Sequence, residues 1–171
     1  NICQIPFWTL TVYYFWQCFK NNKVQNWIFL GLFSALGVLS KYLFIYLLIG
    51  MLAFLIFKIK KNKKFNYKYF IPLSIFLLVL APHLIWLIDN DFKTIVYGLQ
   101  RTSSENSNFL NHLLYPLKFT LKQIGVLIPF FILLSLIITK FKFKIKLHDE
   151  KLIYLISVTL VPILLMLLTS L

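Results

Sequence analysis

WIFLGLFSALGVLSKYLFIYLLIGMLAFLIF, residues 27–57, is apolar throughout except around Ser40 and Lys41. As one helix these 31 residues would run about 46 Å, well beyond the ~30 Å hydrocarbon core of a bilayer. Two shorter helices turning near Lys41 fit, and the flanking charges favour them. Lys20 and Lys23 precede the stretch; Lys58, Lys60, Lys61, Lys63, Lys64 and Lys68 follow it. Basic loops prefer the cytoplasm, so an even number of crossings must separate these two. The stretch therefore reads as a transmembrane hairpin with Lys41 at its outer turn.

The rest of the chain fits that reading. Of 171 residues, 60% are apolar and 18% aromatic, with a mean hydropathy of +0.79. The apolar residues come in blocks close to the ~20 residues that cross a bilayer, more than a soluble core requires. The expected fold is an all-α, polytopic transmembrane helical bundle of about six spans, at 2–19, 27–40, 42–57, 69–88, 123–139 and 152–171. An outer loop is expected over 89–112, and an interfacial helix over 109–122, where Lys118 and Lys122 lie apart from Leu113, Leu114, Leu117 and Leu121. Gly125 and Pro129 are candidate kinks in the fifth span.

The net charge of +13 comes from 17 lysines, one arginine and five acids. Thirteen lysines fall in the loops assigned inside, and only Lys41, Lys93 and Arg101 clearly outside. That distribution is positive-inside bias, not a nucleic-acid patch, so no nucleic-acid partner is expected. Cys3 and Cys18 read as small buried hydrophobes without a disulfide. Trp27 reads as an interfacial anchor. Gly31, Ser34, Ala35 and Gly37 form a stripe that lets another helix approach closely. The chain starts at Asn1 and ends in an apolar run, which suggests an interior piece of a longer protein.

Sequence signatures of soluble enzymes are missing, and His83, His112 and His148 are too scattered to suggest a metal site, so none is assigned. Charges at the membrane edge are the better lead, because placing them there is costly. Lys41 reads either as a snorkelling lysine that ends a short helix or as a cation for a lipid phosphate. Asp89 and Asp91 end the fourth span, either as helix termination or as a carboxylate base or metal ligand. Arg101, the lone arginine, lies near Ser103, Ser104 and Asn106. Its planar fork suits bidentate phosphate binding in a way lysine cannot match.

Three segments together resemble a known family. PHLIW at 82–86, followed by Asn90, Phe92 and Arg101, is similar to a motif of bacterial GT-C integral-membrane glycosyltransferases, the protein-mannosyltransferase-like enzymes that include lipid A aminoarabinose and core galacturonic acid transferases. GLFSALGVLSKY at 31–42 resembles that family's glycine-rich helix, and FWTL at 7–10 resembles the helix after its Pro-Asp element. The chain departs from the pattern at Leu87, where the family has Asn, at Gly98, where it has Gln, and at Asn1, where it has Asp. The resemblance implies transfer of a sugar from a polyprenyl-phosphate carrier to a lipid A, glycan or protein acceptor on the outer face of a bacterial plasma membrane. It implies Lys41 and Arg101 as contacts to the lipid phosphate and membrane lipids as partners, with or without a divalent metal. The catalytic carboxylate of the family would lie upstream of Asn1, which leaves Asp89 and Asp91 as weak candidates. A transporter or flippase segment for a lipid-linked substrate and a membrane scaffold without a site are the alternatives.

Overall fold

A computed structural model describes residues 2–63, 66–102, 109–138 and 149–169. Among these the chain is helical, without strands: α1 Gln4–Asn21, α2 Val24–Ser40, a 3-10 turn Tyr42–Phe44, α3 Ile45–Asn62, a 3-10 turn Tyr67–Tyr69, α4 Phe70–Asp89, α5 Lys93–Thr102, α6 Phe109–Ile138 and α7 Glu150–Leu168. The fold is an all-α helical membrane bundle. Four stretches among the described residues are long and apolar enough to cross a bilayer: Tyr42–Asn62, Tyr67–Asp89, Pro116–Leu136 and Glu150–Leu168. α2 is apolar but has only 17 residues, about 25 Å of helix. α1 carries Gln4, Thr9, Thr11 and Gln17 among its apolar residues.

The long apolar stretch breaks at Lys41. Its backbone is extended (φ −166°, ψ 127°), its N–H still bonds Gly37 O, and Ser40 Oγ donates to the same carbonyl at 2.7 Å. The chain then tightens into the 3-10 turn before α3 starts. Other ends use local chemistry. Asn22 closes α1 at φ 49°, a left-handed conformation that asparagine tolerates well. Asp149 caps α7 by accepting from Lys151 N at 3.1 Å.

The lysine-rich segments gather at one end. Lys68 Nζ donates to Asn22 O at 2.9 Å, Asn66 Nδ2 to Asn22 Oδ1 at 3.4 Å, and Glu150 pairs with Lys58 and Lys61 at 3.2 and 2.9 Å. The turns after α1 and α3 and the start of α7 therefore share one end of the bundle, as the parity of the basic loops requires. The pair to Lys58 is the better sheltered of the two, because its lysine also sits 4.7 Å over the Phe19 ring.

α2 packs between α1 and α4, and α3 packs on α7. Glycines set both contacts. A Cβ at Gly31 would meet Pro72 O at 2.6 Å, and one at Gly50 would meet Ser157 O at 2.5 Å, so only glycine allows these backbones to approach so closely. The small-residue stripe of α2 is buried throughout, with Gly31 on α4 and Gly37 under the Phe44 ring. The core is aromatic: Phe15, Phe19, Phe54 and Tyr154 interlock edge to face, and Tyr154 donates its hydroxyl to Val12 O at 2.5 Å. That bond ties α7 to α1 as well as to α3.

Several elements differ from the sequence reading. Residues 93–102, expected in a loop, form α5. The interfacial helix and the fifth span are one continuous helix, α6, which passes through Pro116, Gly125 and Pro129 without a break. Trp27 is not an interfacial anchor. It is 2% exposed, packed edge to face with Phe19 and tilted against Tyr69, with its indole N–H reaching Asn22 Oδ1 at 3.4 Å. Cys18 is buried as expected, but Cys3 is exposed in the first turn of the chain. The lysine loop 140–146 lies outside the described residues, as do Ser103, Ser104, Asn106 and His148.

Candidate functional site

The end opposite the basic turns is reached from three directions. α2 climbs about 25 Å to Lys41, α4 about 30 Å to Asp89, and α5 starts there. The close α2–α4 seam at Gly31 sets the relative height of these two helices. As a result Tyr42, the first residue after Lys41, meets His83 one and a half turns before the end of α4.

The Tyr42 hydroxyl lies 2.9 Å from His83 Nε2 and 3.1 Å from Thr94 Oγ1, joining the 3-10 turn, α4 and α5 at one atom. A phenol has a single proton. With Nε2 unprotonated, Tyr42 donates to His83 and accepts from Thr94; with Nε2 protonated, the direction reverses. His83 stacks on Trp86 at 5.9 Å with 14° between the planes, and the Tyr42 ring lies 6.0 Å from the imidazole, tilted by 32°. The ring is thus held by one hydrogen bond and two aromatic neighbours, while Tyr42 and Thr94 stay exposed. Lys41 is half-buried beside this cluster.

The turn from α4 to α5 explains one acidic residue and not the other. Asp91 and Phe92 both have positive φ, 52° and 53°, and Phe92 N bonds Leu87 O at 2.9 Å to close the turn. Aspartate is one of the few non-glycine residues that enter this region readily, so Asp91 has a conformational role. Asp89, the last residue of α4, is exposed and stands where the helix dipole disfavours a carboxylate, so helix stability does not account for it. Asp91→Asn keeps the left-handed preference and removes only the charge. The protein's activity is expected to stay within about twofold, because the left-handed turn is preserved and the site is exposed; a loss of several hundredfold would make the Asp91 carboxylate a participant.

Arg101 lies in the last turn of α5, and its side chain falls outside the described residues. Among the described residues no three of His, Cys, Asp and Glu gather as metal ligands. Sequence reasoning passed over Tyr42, His83 and Thr94 as a group. Tyr42 and His83 each stood in a motif segment; nothing in the sequence signalled Thr94.

The family model for dolichyl-phosphate-mannose-protein mannosyltransferases matches residues 1–86, the first half of the chain. No curated protein and no solved structure matches it. The matched residues run from α1 to Trp86 and include Lys41, Tyr42 and His83, but not Asp89, Asp91, Thr94 or Arg101. The chain is an integral membrane protein of the dolichyl-phosphate-mannose-protein mannosyltransferase family, and so belongs to the GT-C glycosyltransferases.

Proposed function

We propose that the protein transfers a sugar from a polyprenyl-phosphate-linked donor to an acceptor at the membrane face opposite its basic loops. The observation that carries this reading is the meeting of the two motif segments. GLFSALGVLSKY and PHLIW, far apart in sequence, come together through the Tyr42–His83 hydrogen bond at the end where Lys41 and the start of α5 also lie. By the positive-inside bias that end is the outer one, where the carrier's phosphate would be presented.

In the reaction the bond between the sugar's anomeric carbon and the carrier phosphate breaks, and the acceptor's nucleophile forms the new bond. The departing lipid phosphate gains negative charge, which cations fixed nearby stabilise. Lys41 serves as a point charge on that phosphate, and Arg101 supplies a bidentate fork. Tyr42, bridged to His83 and Thr94, holds the 3-10 turn that carries Lys41 against α4 and α5. A carboxylate is needed to take the acceptor's proton, and among the described residues Asp89 is the stronger candidate at this end, with Asp91 engaged in the turn. A divalent ion would find no ready cluster of three ligands among the described residues.

The test is full-length protein in proteoliposomes with a radiolabelled polyprenyl-phosphate sugar. Label passing to the acceptor with release of free polyprenyl phosphate is expected. Transfer from a nucleotide sugar while the lipid-linked donor stays intact would overturn the reading.

A further inference from the structure

An apolar cleft of about 410 Å³ opens at the side of the bundle, between α2, α3 and α4. It exists because the two arms of the hairpin face different neighbours: α2 is drawn to α1 and α4, and α3 to α7. Leu30 and Met51 form its buried back wall, while Ile49, Leu52 and Leu73 stand at its rim with 40–53% of their surface exposed. The cleft starts beside Trp27 and Tyr69, whose rings lie 5.4 Å apart, and reaches Ile45 at its far end.

We propose that this cleft holds one acyl chain of an anionic glycerophospholipid whose headgroup sits among the lysines of the basic end. Three observations support this occupant. The cleft is lined almost wholly by hydrocarbon and opens sideways, toward the bilayer. Along α3 it runs from Leu55 to Ile45, about 15 Å of helix, half the ~30 Å hydrocarbon thickness. It therefore spans one leaflet, the reach of an acyl chain; a polyprenyl chain is much longer. At its mouth the charge is one-sided. Lys23 precedes α2 just before Trp27, Lys68 adjoins Tyr69 and reaches the turn after α1 through Asn22 O, and Lys20 and Lys63 lie at the ends of α1 and α3, while Glu150 is occupied by Lys58 and Lys61. An excess of lysine at the membrane surface attracts anionic headgroups.

The mouth of the cleft, beside Trp27 and Tyr69, lies at the end of the bundle away from Tyr42 and His83, and the proposal does not depend on the proposed reaction. Full-length protein is placed in phosphatidylcholine vesicles containing increasing amounts of phosphatidylglycerol with brominated acyl chains, and quenching of tryptophan fluorescence is recorded. Brominated phosphatidylglycerol is expected to quench a component that Trp27→Phe removes, at mole fractions where brominated phosphatidylcholine does not. Changing Lys23 and Lys68 to glutamine should shift the half-quenching fraction upward by about fivefold per lysine, from ~1 kcal/mol per basic residue near the surface. Leu52→Phe narrows the rim without touching the core and should abolish the same component, which keeps the test open if Trp27→Phe fails to fold. Equal quenching by the two lipids, or quenching unchanged in both Trp27→Phe and Leu52→Phe, overturns the proposal.

Discussion

Lys41→Ala is expected to lower the proposed transfer by about 10²–10³-fold in kcat, the typical effect of removing one group fixed to meet charge that develops in the transition state. The fall should appear in kcat with KM nearly unchanged, because the donor phosphate carries less charge before the bond breaks than while it breaks. Lys41 suits this role because its placement is imposed by backbone. It is the one extended residue between α2 and the 3-10 turn, and its neighbour Tyr42 is fastened to α4 and α5. Arg101→Lys retains the charge and loses the fork. A loss of about tenfold is expected, matching one charge-assisted hydrogen bond of ~1.5 kcal/mol. Steady-state kinetics in proteoliposomes separates the two parameters. Unchanged rates in both variants would remove both proposed phosphate contacts.

Gly31→Leu is expected to produce a large loss of stability. The first added carbon alone would come within 2.6 Å of Pro72 O and 2.9 Å of Ile75 Cβ. A carbonyl oxygen in a helix cannot turn aside as the end of a flexible side chain can, so α2 and α4 must separate. Overpacking of this kind costs about 1–3 kcal/mol, and this contact belongs at the upper end because backbone meets backbone. The same seam sets Tyr42 opposite His83, so activity should fall together with thermal stability in detergent. Gly125 provides the contrast: nothing lies within 4 Å of a Cβ there. Gly125→Ala should leave the fold intact and stabilise α6 by about 1 kcal/mol through helix propensity. Equal thermal midpoints for Gly31→Leu and the unchanged protein would mean that the α2–α4 contact is not as close as described.

The parts of this architecture that rest on charge were legible in the sequence. A lysine inside 31 apolar residues marked the break at Lys41, and the lysine loops declared that the turns after α1 and α3 share an end. The small residues of α2 announced a close helix contact, although not that α4 makes it. What was not legible depends on the heights and rotations at which helices meet. Trp27 looked like an anchor because it begins an apolar run beside lysines, but packing against Phe19 and Tyr69 buries it. The polar run Asp89-Asn90-Asp91 suggested a loop, whereas two left-handed residues turn the chain directly into α5. Gly125 and Pro129 were candidate kinks, and α6 runs through both as one helix that also takes in the expected interfacial helix. In the candidate site Lys41 and Arg101 stood out by composition. The Tyr42–His83–Thr94 junction did not, because it joins residues 41 and 52 positions apart through a register that only packing fixes.

The location of the carrier's phosphate can be measured directly, with a polyprenyl phosphate that carries a diazirine next to its phosphate. After photolysis with the full-length protein in vesicles, peptide mapping should place the label on residues 41–44 and 83–102, around Lys41, Tyr42, His83 and α5. Label confined to residues 20–27 and 58–69, at the basic end, would contradict the account.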